Sequence, residues 1–319
     1  MTTPVSAPAS GPASGLASGP GPAAAAAPRR VRRRSRTWVG WSFILPNFLG
    51  FAALTLVPVI ASLVLSFLDW DSYSTPRWVG LANFERMIHN DTFWTALENT
   101  AYYAVGHVPL TLCAALGFAV LLNQKLKAVQ FFRTALFFPY ITSLVAVAVV
   151  WNMLLSPDMG PVNQFLRAVG IDHPPGWTTS TTWAMPAVIV ASVWRDLGYY
   201  MILYLAGLQT IPAELYEAAE VDGASGWQRF RHITLPSLRP TTFFVLIMLT
   251  ISSFKVFDLI QVMTEGGPGR ATLVLSQVIY REGIVQGRFG YSSAVSMVLF
   301  VIVLTITMVQ FRLQRRSER

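Results

Sequence analysis

Four charged residues stand inside otherwise apolar runs of this chain: Arg195 and Asp196 within 183–208, and Lys255 and Asp258 within 241–263. A charge removed from water is costly, so such residues are functional candidates wherever the surrounding run lies in lipid. Ser192, Arg195, Asp196 and Tyr199 recur at spacings of three, four and seven, which sets them on one face of a helix. Lys255 and Asp258, three apart, can pair on a second helix. Two kinds of work fit this pattern. The charges can pair across helices, Asp196 with Lys255 and Arg195 with Asp258, and only lock a bundle; or they can line a path for a polar solute. Covalent chemistry has no candidate group. None of Lys125, Lys127 and Lys255 follows a glycine, so a phosphate-cradling P-loop is absent. His89, His107, His173 and His232 show no metal-ligand spacing, and Cys113 has no partner for a disulfide within the chain. The sequence therefore predicts no catalytic residue, no metal site and no cofactor held by this chain.

The elements that must hold these residues follow from composition. Of 319 residues, 53% are hydrophobic and 13% charged, and mean hydropathy is +0.47, too apolar for a surface that faces water. Lipid is the natural solvent, and helices are the way such a chain satisfies its backbone there. Runs near the twenty residues needed to cross a bilayer occur at 41–68, 102–122, 135–155, 183–208, 241–263 and 294–311, the last being the shortest. The predicted fold is an all-α membrane protein with six transmembrane helices. Residues 1–36 form a separate region, almost wholly Ala, Pro, Gly and Ser up to residue 28 and predicted to be disordered, ending in a basic cluster of Arg29, Arg30, Arg32, Arg33, Arg34 and Arg36. Residues 37–319 form the membrane domain. The first run is too long for a signal-peptide core and lacks a small-residue cleavage site, so it is predicted to stay as an uncleaved helix.

Orientation follows from the basic residues, which are retained on the cytoplasmic side of short loops. With both termini inside, that side holds the tail cluster, Lys125, Lys127, Arg133, Arg229, Arg231, Arg239, Arg312, Arg315, Arg316 and Arg319. The outer side holds Arg77, Arg86, Arg167, Arg270, Arg281 and Arg288. The inner set is the larger even with the tail left aside. The net charge of +8 is thus topological, and no nucleic-acid partner is expected, because basic and aromatic residues do not interleave on a polar face. Outside, 81–100 is either a short helix lying in the interface or an ordinary amphipathic connector. Trp38, Trp177, Trp183 and Tyr291 sit at span ends, where an aromatic belt is expected. His107 and Pro109 are read as packing and a kink in the second span.

Between the fourth and fifth spans, residues 211–236 read as two short helices. Thr210 is the expected N-cap of the first, with Pro212 in its first turn and Gly223 ending it in the left-handed conformation. Ser225 is the expected cap of the second, and Pro236 its stop. The first helix sets Leu215, Ala218, Ala219 and Asp222 in one stripe, flanked by Glu217 and Glu220, and alanines there let another surface approach closely. By residue type alone, a solvated hairpin that only links two spans is an equal alternative.

The run Glu217-Ala218-Ala219, then Asp222-Gly223-Ala224, then Phe230, Ile233, Leu235-Pro236 and Pro240 resembles the EAA loop of permease subunits in binding-protein-dependent ABC importers. Phe137-Phe138-Pro139-Tyr140, the stretch from Asn152 to Asn163, Leu205-Ala206-Gly207-Leu208, Phe257-Asp258 and Thr264-Glu265-Gly266-Gly267-Pro268 resemble the maltose-type sugar permease branch. The resemblance covers nearly everything after Arg36. It implies that the loop is a cytoplasmic coupling helix seated on a separate ATPase, through Glu217, Ala218, Ala219, Asp222, Gly223, Phe230, Leu235 and Pro236. It implies a pocket on the third, fourth and fifth spans walled by Tyr140, Ser143, Ser192, Asp196, Ser253 and Asp258, with Arg195, Tyr199 and Lys255 beside them. Sugars, as neutral polyols, suit such a mixture of polar and aromatic side chains. The implied partners are a second homologous permease, two copies of the ATPase that uses ATP and Mg, and an extracytoplasmic solute-binding protein, at the cytoplasmic membrane of a bacterium. A phosphorylated cargo neutralised by Arg195 or Lys255 is the nearest alternative. An ion-driven secondary transporter or channel would explain buried charges but not the loop.

Overall fold

A computed structural model describes residues 34–124 and 127–317, with side chains over 41–124 and 127–315. The predicted tail at 1–33, Lys125, Arg319 and the side chains of Trp38 and Arg316 lie outside the described residues. The described residues fall into two compact units that divide between Leu54 and Thr55.

The first unit holds α1 (Arg34–Phe51), which takes in residues 34–36 of the expected tail. A π-helical turn, Ala52–Leu56, crosses the division, and α2 (Val57–Leu65) belongs to the second unit. The turn falls just before Pro58, whose missing N–H and bulky ring cannot follow a regular α-helical turn without loss.

In the second unit, a two-residue hairpin of β1 (Leu68–Asp69) and β2 (Arg77–Trp78) pairs Leu68 with Trp78. Helix α3 (Ala82–Ile88) follows, then α4 (Asp91–Leu122). The predicted connector at 81–100 is thus split. Asn90 accepts a bond from the Thr92 amide at 2.9 Å and so starts a new helix, which no breaker interrupts before the second span. Next come α5 (Val129–Ile141), α6 (Leu144–Leu154), α7 (Pro161–Ala168) and α8 (Ala184–Gln209). The hairpin after α8 consists of α9 (Ala213–Val221), α10 (Gly226–Arg229), a π-helical turn at Phe230–Thr234 and α11 (Leu235–Ser237). Helices α12 (Arg239–Phe254), α13 (Asp258–Met263), α14 (Leu275–Tyr280) and α15 (Phe289–Ser317) complete the chain.

Among the described residues, four helical stretches are long and apolar enough to cross a membrane: Trp41–Leu65, Asp91–Leu122, Ala184–Gln209 and Phe289–Arg315. Two bent pairs raise the number to as many as six. The expected third span is one of them. Instead of one helix, α5 and α6 meet at 101°, because Thr142 and Ser143 are extended. The Thr142 hydroxyl and backbone amide both donate to the Phe138 carbonyl, at 2.9 and 3.2 Å, where α5 ends. The expected fifth span is also interrupted: α12 ends at Phe254, and Phe257 leaves helical geometry at φ −144° before α13. Lys255 and Asp258 therefore do not share a helix. The sixth span is a 29-residue helix rather than the shortest.

Helix α8 is the pillar of the second unit, flanked by α4, α5 and α12. Its small residues let neighbours come close: Ala184, Ala187 and Ala191 are buried, and a Cβ added at Gly198 would lie 2.0 Å from the Leu136 carbonyl oxygen of α5. On the facing helix, a Cβ at Gly106 would lie 2.7 Å from Ile189 Cδ1. Tyr204 and Met201 fill the core where α4, α8 and α12 meet, both without exposed surface.

Candidate functional site: a polar cavity and an exposed helical hairpin

The close packing of α4, α8 and α12 leaves a cavity of about 240 Å³. Tyr103 and His107 reach it from α4, Ser192, Arg195 and Asp196 from α8, Ser252 from the end of α12, Lys255 from the break that follows and Asp258 from the start of α13. The spacing on α8 sets its polar face as expected. Lys255 and Asp258 line the same wall although they do not share a helix.

The pairing differs from expectation. Neither Asp196–Lys255 nor Arg195–Asp258 forms. Arg195 Nη1 donates to Oδ1 of its neighbour Asp196 at 2.6 Å, and the other carboxylate oxygen lies 3.3 Å from His107 Nε2. Among the described residues, Lys255 and Asp258 have no ion-pair partner within 4.0 Å, either with each other or elsewhere. The Arg195 guanidinium also lies 5.1 Å from the centre of the Tyr140 ring, which stacks on Tyr199 at 4.4 Å and 11°. Cation and rings together hold the junction of α5 and α8.

Of the residues expected on the pathway, Ser192, Arg195, Asp196, Lys255 and Asp258 line this cavity. Ser253 is buried behind it, sharing a 2.9 Å hydrogen bond with His107 Nδ1. Tyr140 and Tyr199 form the adjoining stack, and Ser143 is exposed at the α5–α6 break, outside the cavity. His107, read from sequence as packing, is indeed packed, being 1% exposed and stacked on Tyr103 at 5.2 Å, and it also lines the cavity and touches Ser253 and Asp196. The signal was present in the rule applied to Arg195 and Lys255, that a titratable group in an apolar span needs a reason.

The hairpin after α8 is of another kind. Thr210 does not cap α9; its hydroxyl donates to the Gly207 carbonyl at the end of α8, and Pro212 occupies the cap position. The far end of α9 is as expected. Gly223, at φ +75°, lets the Ala224 amide reach the Ala219 carbonyl at 2.8 Å and the Gly223 amide reach the Glu220 carbonyl at 3.0 Å, a Schellman closure. Ser225 and Gln228 exchange bonds at 2.7 and 3.3 Å in a capping box. Pro236 does not stop the second helix. The π-helical turn ahead of it makes room for its ring, and the 65° bend comes later, where α12 begins beside Pro240. The two arms are tied by Tyr216 Oη to Thr234 Oγ1 at 2.9 Å and by Arg229 to Glu220 at 3.3 Å. Glu217, Ala218, Asp222, Gly223 and Leu235 are exposed, Ala219, Phe230 and Pro236 half-buried. Val221 and Trp227 are exposed by 89% and 68%, apolar surface that an isolated hairpin has no reason to display.

The model of the family described as "binding-protein-dependent transport system inner membrane component" matches residues 108–319, which include the hairpin and the part of the cavity wall that α8, α12 and the break after it supply. The chain belongs to that family, and it is therefore an inner-membrane component of a transport system. It is 40% identical to the probable ABC transporter permease protein YesP of Bacillus subtilis, over 92% of this chain and 95% of that protein. The lactose transport system permease protein LacF of Rhizobium radiobacter is 38% identical over 88% of this chain and 95% of that protein. A chain in the crystal structure of a bacterial ABC transporter involved in the import of the acidic polysaccharide alginate superposes with a TM-score of 0.78 at 27% identity, covering 89% of this chain and 97% of that one.

Proposed function

We propose that this chain forms half of the translocation pathway for a carbohydrate in an ATP-driven importer. The observation that carries this reading is the cavity: a polar, aromatic-edged pocket in the apolar unit, in which the charges of Arg195 and Lys255 balance those of Asp196 and Asp258. A wall without net charge suits a neutral polyol, held by hydrogen bonds through Ser192, Asp196, Ser252 and the free ends of Lys255 and Asp258. The relatives named for lactose and alginate transport support the cargo class. A phosphorylated cargo is less favoured, because Arg195 is already paired with Asp196 and the relatives named for a cargo carry carbohydrates.

Glu217, Ala218, Ala219, Asp222, Gly223, Phe230, Leu235 and Pro236 form the coupling surface in this reading, facing the cytoplasm with both termini. A separate ATPase, present in two copies and using ATP and Mg, seats against them. The exposure of Val221 and Trp227 supports a partner at this hairpin. A second homologous permease supplies the other half of the pathway, and an extracytoplasmic binding protein delivers the sugar; a solved relative in complex with an alginate-pentasaccharide-bound periplasmic protein supports that arrangement. The test is uptake of radiolabelled lactose and maltose by proteoliposomes of the complete transporter, with ATP and with a non-hydrolysable analogue. Uptake confined to hydrolysable ATP is expected; equal uptake under both conditions sinks the proposal.

A further inference from the structure

The His107 imidazole holds an unused donor at the cavity wall. Its Nδ1 lies 2.9 Å from the Ser253 hydroxyl, a contact in which either atom can donate; the Asp196 carboxylate 3.3 Å from Nε2 favours the tautomer with the ring proton on Nε2, in which the Ser253 hydroxyl donates to Nδ1. Nε2 has no hydrogen-bond partner, although the ring is 1% exposed and Asp196 Oδ2 is only 3.3 Å away, off the direction a hydrogen bond requires. Beside it Arg195 Nε is likewise buried without a partner. A buried donor left unmade is destabilising, and a site that binds a polar solute is where such a defect has a use.

We propose that His107 is a solute-contacting, specificity-determining residue: His107 Nε2 and Asp196 Oδ2 form a donor–acceptor pair that one hydroxyl of the cargo completes. An oxygen placed about 2.8 Å from each atom closes a triangle on their 3.3 Å separation. The hydroxyl then accepts from Nε2 and donates to the carboxylate. A cargo carbon bearing only hydrogen leaves both groups unpaired, so the pair selects for a hydroxyl rather than for bulk. The inference rests on the carbohydrate reading above.

Two substitutions separate this role from a merely structural one. In His107→Gln the amide nitrogen falls where Nε2 was, keeping the donor toward the cavity. In His107→Asn the amide falls where Nδ1 was, keeping only the tie to Ser253. Uptake of lactose, maltose, trehalose and arabinotriose is measured in cells carrying the complete transporter, with membrane level and ATP hydrolysis followed for each variant. For whichever sugar is carried, His107→Asn is expected to raise the half-saturating concentration about tenfold with little change in maximal rate, and His107→Gln by less than about threefold. The reverse order, Asn like the unaltered protein and Gln impaired, overturns the proposal in favour of a tie between helices. So does normal uptake by both. Failure of the unaltered transporter to carry any of the four sugars defeats the carbohydrate reading, and this inference with it.

Discussion

His107 in the cavity draws its contacts from residues 89 and 146 positions away, whereas the hairpin after α8 closes on contacts no more than 18 positions apart. The cavity is buried and over-determined by neighbours; the hairpin is exposed and held by its own caps. Arg195 and Asp196 join the two extremes, since they pair locally while His107 and Tyr140 fix them from other helices. The difference teaches where each region is vulnerable. A change in the cavity disturbs packing and transport together, while a change on the hairpin surface can disturb transport alone.

Four substitutions break or sharpen that contrast, from the largest expected effect to the smallest. Asp196→Ala leaves Arg195 and His107 without their carboxylate; a loss of about 3 kcal/mol in stability and of more than about tenfold in transport is expected, read by thermal denaturation in detergent and by uptake. If this variant melts and transports normally, the cavity is not the over-determined region argued here. Gly198→Ala forces a methyl against the Leu136 carbonyl, which α5 can relieve only by shifting; about 1–3 kcal/mol of destabilisation is expected, with transport lowered in proportion.

On the hairpin, Glu217→Ala removes an exposed carboxylate, so stability should stay within about 0.5 kcal/mol while transport and its tie to ATP hydrolysis fall. Equal loss of stability and transport would count against the surface role. The smallest effect belongs to Ser225→Ala, which removes one half of the capping box: about 1 kcal/mol, confined to the hairpin and visible as faster amide exchange over α10 rather than as a global change in melting.

Much of this division was legible before any coordinates. The hairpin's Gly223 turn and Ser225 cap were readable because each depends on residues within a turn or two of itself. The polar face of α8 was readable because helical periodicity alone sets Ser192, Arg195 and Asp196 together. The pairings were not. Asp196 was expected to reach Lys255, but sequence could not show that α12 ends at Phe254, nor that the Arg195 side chain folds back onto its neighbour. Thr210 failed as a cap because α8 runs on through Gln209 and uses the Thr210 hydroxyl at its own end.

The sequence by itself determined that the chain belongs in lipid, roughly where its apolar helices lie, and how Gly223 and Ser225 shape the turn inside the hairpin, since apolar length and local capping act along the chain. Tertiary structure decided where the spans break and which charges meet. The meeting of His107 with Asp196 and Ser253 arises from contacts between distant segments. A buried donor or charge is satisfied by whatever the packing brings within about 3 Å, and spacing along one chain carries no record of that distance.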